Sequence, residues 1–146
     1  MIAVDTNLLV YAHRADSPWH KPAAAAIQAL AQSPSAWTIP WPCLHEFLGI
    51  VTHPGICLPP TPLVKALAQV RAWLESPGLD PLSENAGYAD RLSEVLRASK
   101  VVGPRVHDAR VAALCLHHGV SELWTADRDF SRFRDLKTRN PLVKSA

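Results

Sequence analysis

Three cysteines in 146 residues, at positions 43, 57 and 115, are too few and too irregularly spaced to knit a scaffold. The odd count opposes a disulfide framework and the lack of a C-x-x-C pair opposes a zinc site, so reduced, partly buried thiols are expected. Long apolar runs are also missing. No window approaches the roughly 18–20 consecutive apolar residues of a membrane helix. The opening Met1-Ile2-Ala3-Val4-Asp5 lacks the basic stretch and cleavage pattern of a secretory leader, and a cytoplasmic location is expected. No internal repeat or low-complexity linker interrupts the chain. Its length and 48% apolar content suit a single domain spanning residues 1–146.

Net charge is scarce as well, at +2, and by itself specifies no partner. The small total conceals an asymmetry. Through Asp90 there are four Lys/Arg against seven Asp/Glu, a balance of −3; from Arg91 onward there are eleven against six, a balance of +5. Arg105, Arg110, Arg128, Arg132, Arg134, Lys137 and Arg139 fall in the basic half. Such a set either binds the phosphates of a polyanion or forms an ordinary solvated surface.

What is present is an alternation of short apolar strands and helices. Ile2 to Asp5 reads as a buried strand that turns at once into a helix through Leu8, Leu9, Tyr11 and Ala12, capped by Asp5 or Thr6. Ser17-Pro18 predicts a second helix start, and the Ala23–Ala31 stretch continues that helix to Ser33-Pro34. Trp37 to Ile39 is a second strand, and Pro42 opens a helix running to about His53. The stripe Leu63, Leu67, Val70, Leu74 predicts a further helix, and Leu79 to Leu82 a short strand. Tyr88, Leu92, Val95 and Leu96 outline another helix, followed by one from Val106 to His118 closed by Gly119 and by a strand at Leu123 to Thr125. Strands and helices in this alternation imply an α/β fold with a parallel sheet covered on both faces.

Four acids, Asp5, Glu46, Asp108 and Asp127, interrupt these apolar segments. Asp5 and Asp127 follow strands, where ligands of parallel sheets bind. Asp108 shares a helical stripe with Ala112 and Cys115, and Glu46 shares one with Cys43 and Ile50, so both are expected to point toward apolar packing. Each of Asp5, Asp108 and Asp127 could serve as a helix cap, but Glu46 lies beyond the first turn of its helix. Two carboxylates about 4 Å apart repel by roughly 4 kcal/mol at an effective dielectric of 20, so convergence calls for a cation. Oxygen donors without a Cys/His set point to Mg²⁺, with Mn²⁺ as a substitute. Thr6 and Asn7 are placed either to hydrogen-bond water or phosphate at such a site, or simply to begin a helix.

The blocks M-I-A-V-D-T-N-L at 1–8, L-H-E-F-L around Glu46, H-D-A at 107–109 followed by V-A-A, and T-A-D-R-D-F at 125–130 resemble, in order, the four signature blocks of PIN-domain ribonucleases, most nearly the VapC-type toxins. The resemblance covers essentially the whole chain. It implies a PIN-like three-layer fold, Mg²⁺-dependent RNA cleavage leaving 5′-phosphate and 3′-hydroxyl ends, a homodimer, and an inhibitory antitoxin. It also implies a catalytic quartet of Asp5, Glu46, Asp108 and Asp127, with Asp5 and Asp108 as metal ligands. Asp129 shares its block with Asp127. Asp127 is favoured because it comes first after the strand, while Asp129 can cap the turn at Phe130 to Phe133.

Three rivals bear on the same residues. An aspartyl-phosphate phosphatase would use Asp5 as nucleophile, but Asn7 stands where a second acid is required. A metal-free nuclease would need paired histidines such as His117 and His118, which as helical neighbours point apart. A non-catalytic interaction module would use the acids as caps and the Ala23–Ala31 and Leu63–Leu74 helices as contact faces.

Overall fold

The computed structural model describes residues 1–143. Strands β1 (Ile2–Val4), β2 (Trp37–Thr38), β3 (Glu122–Trp124) and β4 (Thr138–Arg139) form a parallel sheet in the order β2-β1-β3-β4. Helices α1 (Thr6–His13) and α2 (His20–Gln32) connect β1 to β2. After β2 come α3 (Trp41–Val51), α4 (Leu63–Leu74), α5 (Tyr88–Ser99) and α6 (Val106–His117), which return the chain to the other side of β1. The helices cover both faces of the sheet, giving the expected three layers. Among the described residues no helix is long and apolar enough to cross a membrane.

Strand order reverses at β1, which has β2 on one side and β3 on the other, and this opens a crevice beyond the strand ends. The register pairs Val4 with Trp124, so Asp5 and Thr125 leave the sheet side by side. Asp5 N–H still donates to the Trp124 carbonyl at 3.0 Å. The turn that feeds β3 is equally defined. Gly119, at φ +71°, follows α6; its N–H donates to the Leu116 carbonyl, and Val120 N–H to the Cys115 carbonyl at 2.9 Å. This is the glycine C-terminal motif in which left-handed backbone satisfies the last carbonyls of the helix.

Trp37, Phe47, Ile39, Leu44, Leu8, Leu9 and Leu123 are fully buried at the centre of the core. All three cysteines are buried and unpaired, more deeply than expected from their spacing. Several boundaries differ from the sequence expectation. Ser17-Pro18 forms a turn ahead of α2 rather than its first residues, and His20 fixes the start through a ring nitrogen 3.0 Å from the Tyr11 carbonyl. The 79–82 segment makes two parallel bridges, Leu79 to Trp37 and Pro40 to Leu82, at the outer edge of β2 rather than a continuous strand. The buried stripe of α4 is Ala66, Val70 and Trp73, while Leu63 and Leu67 of the expected stripe face solvent.

Candidate active site

Asp5, Glu46, Asp108 and Asp127 line one cavity of about 120 Å³ at the carboxyl end of the sheet, together with Thr6, Asn7 and His107. Asp5 is the floor, with 6% of its surface exposed. Extended backbone there (φ −84°, ψ 162°) makes it the N-cap of α1, and its Oδ1 accepts from Thr6 N–H at 2.8 Å. Oδ1 also accepts the Cys43 thiol at 3.5 Å, and Oδ2 accepts from the Thr125 hydroxyl at 2.7 Å and from Asn7 Nδ2 at 3.3 Å. Asp5 therefore caps its helix and faces the cavity at once.

Thr125, which the sequence offers only as a strand end and the first residue of the T-A-D-R-D-F block, is the centre of this network. Its hydroxyl donates to Asp5 and accepts from Asn7 Nδ2 at 3.2 Å and Asp127 N–H at 3.0 Å, which uses its one hydrogen and both lone pairs. Asn7 is a cross-brace rather than a free ligand: its Nδ2 reaches Asp5 and Thr125, and its Oδ1 accepts from Ala126 N–H at 3.1 Å. The sequence signal for both was their adjacency to acids at two strand ends, which becomes meaningful once β1 and β3 are known to pair.

Asp127 caps the short 3₁₀ turn at Arg128–Arg132, with its Oδ1 accepting from Asp129 N–H at 2.9 Å. Asp129 is not the cap and lies outside the cavity lining; it is half-exposed and ion-paired with Arg105 at 3.0 Å. Glu46 is exposed at the rim, contrary to the inward orientation expected of it, because α3 buries Cys43, Leu44, Phe47 and Val51. Asp108 is half-buried on the first turn of α6, and only Asp5 of the four is fully inside.

Electrostatically the cavity is frustrated. Burial pushes the Asp5 carboxyl up, hydrogen bonds from Thr125, Thr6 and Cys43 oppose that, and Asp127 adds to it. Burial and the charges of Asp5 and Asp108 raise Glu46, while burial and the charges of Asp127, Asp5 and Asp129 raise Asp108. Burial and nearby Asp5 keep the Cys43 thiol protonated, so that it remains a donor. Thr6 Oγ1 is buried with no hydrogen-bond partner, although it lies near Glu46 and Cys43. An orphaned hydroxyl amid repelling carboxylates fits a hard, hydrated divalent cation: the donors are oxygens, and the volume admits an ion with a few waters. Among the described residues no three acid, histidine or cysteine side chains are already drawn into a closed cage.

Other chemistry is not assembled. His117 contacts Asn85 Oδ1 and His118 sits 2.9 Å from the Ser83 carbonyl, so neither histidine lines the acid cavity. Of the basic residues, Arg110 pairs with Glu84, Lys137 with Glu122, and Arg139 lies over the Trp124 ring at 5.6 Å. Arg128, Arg132 and Arg134 form no ion pair among the described residues.

The PIN domain family matches residues 2–136. Ribonuclease VapC33 of Mycobacterium tuberculosis is 32% identical over 142 residues, covering 97% of this chain and 99% of that protein. Two solved structures share the fold: VapBC2 from Rickettsia felis bound to a promoter DNA fragment (TM-score 0.69, 18% identity, 96% and 98% coverage) and Mycobacterium tuberculosis VapC20, a sarcin-ricin loop cleaving toxin (TM-score 0.67, 18% identity, 90% and 93% coverage). The chain accordingly belongs to the PIN-domain family, with VapC ribonucleases as its relatives.

Proposed function

We propose that this protein is a Mg²⁺-dependent endoribonuclease acting as the toxin of a cytoplasmic toxin–antitoxin pair. The observation that carries the reading is the gathering of Asp5, Glu46, Asp108 and Asp127 on one cavity from four separate segments of the chain. Asp5 and Asp108 would hold the ion, which when bound supplies a positive charge that acidifies water and neutralises phosphate oxygens. The Thr125–Asn7 network keeps Asp5 in one rotamer without reorganisation during the reaction.

Glu46, whose carboxyl is raised by burial and by the charges of Asp5 and Asp108, would take the proton from the attacking water. Water oxygen bonds to phosphorus, the bond to the 3′-oxygen breaks, and that oxygen is protonated. The products carry 5′-phosphate and 3′-hydroxyl ends. Because water is the nucleophile, the 2′-hydroxyl has no chemical role, and preference for RNA arises from recognition.

Two protein partners complete the proposal, a second copy of the chain and an inhibitory antitoxin. Leu63, Val64 and Leu67 are exposed on one side of α4, an apolar surface that favours a protein contact. Protein freed of any antitoxin should cut RNA in Mg²⁺ or Mn²⁺ and stop with chelator or with Asp5→Asn. Cleavage that survives both treatments, or that leaves 2′,3′-cyclic phosphate, overturns the proposal.

A further inference from the structure

A second cavity, of about 550 Å³, adjoins the acid pocket and shares Glu46, His107, Asp108 and Val111 with it. The acid pocket is too small for a nucleotide, whereas the larger space falls in the range of small-ligand sites. Its remaining walls come from the starts of two helices: Pro42 and His45 on α3, Pro104 and Arg110 at and beyond the start of α6. Carboxylates, imidazoles, a guanidinium and two proline rings therefore share one lining.

Part of this lining is suited to stacking. The exposed His45 ring lies against Trp41 one turn earlier, with centroids 5.7 Å apart and planes 33° from parallel, so the pair forms a supported platform. Arg110 is fixed in direction by Glu84, whose Oε1 accepts from Nε at 3.0 Å and lies 2.9 Å from Nη2. Glu84 stays ionised, its carboxyl held low by its own backbone N–H and by Arg110. With those nitrogens engaged, the guanidinium keeps further N–H donors and a flat face. Imidazole rings, guanidinium planes and proline rings are surfaces on which unpaired bases of single-stranded RNA stack.

We infer that this cavity is a nucleotide subsite: it takes the base next to the scissile phosphate of single-stranded RNA, stacked on His45 and contacted by Arg110. The inference rests on the ribonuclease reading and deepens it by naming the strand form bound and two positioning residues.

The test is anisotropy of labelled single-stranded RNA in Ca²⁺ alongside Mg²⁺-dependent cleavage of the same oligonucleotides. His45→Ala and Arg110→Ala should each weaken binding about tenfold, and His45→Phe should stay within about twofold of the parent protein. One abasic position beside the cut should weaken the parent protein similarly and add nothing in His45→Ala, a coupling that a merely structural role would not produce. Parental affinity in both alanine variants with normal cleavage by the parent overturns the subsite alone. A parent protein that neither binds nor cuts RNA overturns the ribonuclease reading and the subsite with it.

Discussion

Replacing Thr125 with valine changes almost no volume and removes the hydroxyl that ties the two central strand ends together. Thr125 is buried, and its short bond to the Asp5 carboxylate is charge-assisted, a class worth about 1.5–3 kcal/mol. The amide of Asp127 and Nδ2 of Asn7 also lose an acceptor, but both lie nearer solvent, so about 1 kcal/mol covers them. A total near 3 kcal/mol is a large share of a typical domain's stability and corresponds to roughly a 10 °C fall in Tm at this chain length. The sign with pH follows from the same bond. Thr125 favours ionised Asp5, so its loss raises an already elevated pKa; the deficit is full above the variant's raised Asp5 pKa and narrows as pH falls from there to the parent's folded value. Thermal melts of Thr125→Val, with Thr125→Ser as the hydroxyl-retaining control, measure this in chelator across pH 4.5–8. A Tm within about 2 °C of the parent at pH 8, or a deficit that does not narrow in acid, refutes the assignment of Thr125 as the brace.

The same melts bear on the acids themselves. Glu46 and Asp108 have raised pKa values, so they favour the folded state when protonated: their contribution is present below the unfolded value near 4 and is lost as pH rises through the folded value. Asp108→Asn should raise the Tm of metal-free protein at pH 7.5, and should lack the Tm gain in Mg²⁺ or Mn²⁺ expected of the parent. Charging the exposed side of α4 with Val64→Glu and Leu67→Glu should leave the fold intact and lower the mass measured by light scattering from dimer to monomer; an unchanged mass removes that face from the interface.

The sequence revealed the acids more fully than it revealed their surroundings, and the reason is local. An aspartate that ends an apolar strand has its position determined by backbone alone, which is why Asp5 and Asp127 were legible. Glu46 is attached to a helix whose facing depends on packing, and its rotation toward the rim follows from burial of Cys43, Leu44, Phe47 and Val51 on the neighbouring arc. On α4, leucine content pointed to Leu63 and Leu67, yet Ala66 and Trp73 face the core. Hydrophobicity states that a side chain avoids water without stating whether it meets the core or another protein. Thr125 and Asn7 were invisible as a pair because their contact spans 118 residues and exists only through strand pairing.

That dependence on pairing explains how a crowded acid site keeps its geometry. Asp5, Asn7, Thr125 and Asp127 are linked by hydrogen bonds that require Val4 opposite Trp124, and a one-residue slip would turn Thr125 to the other face of the sheet. The Trp124 indole is itself held in place, its Nε1 donating to Glu122 Oε1 at 2.8 Å on the same strand and Arg139 from β4 lying over its ring. Burial first, and the charge of Asp127 after it, therefore raise the Asp5 pKa on a site whose strand ends are held by backbone pairing. Glu46 is held differently. Its helix docks through Phe47, whose ring meets His13 and Trp73 edge-on at 5.3 and 4.9 Å, with no hydrogen bond from the strand ends to the Glu46 carboxylate among the described residues. Asp5 and Asp127 are thus fixed at strand ends, Asp108 sits on the first turn of α6, and Glu46 takes its place at the rim from the packing of its helix, with the Thr6 hydroxyl nearby.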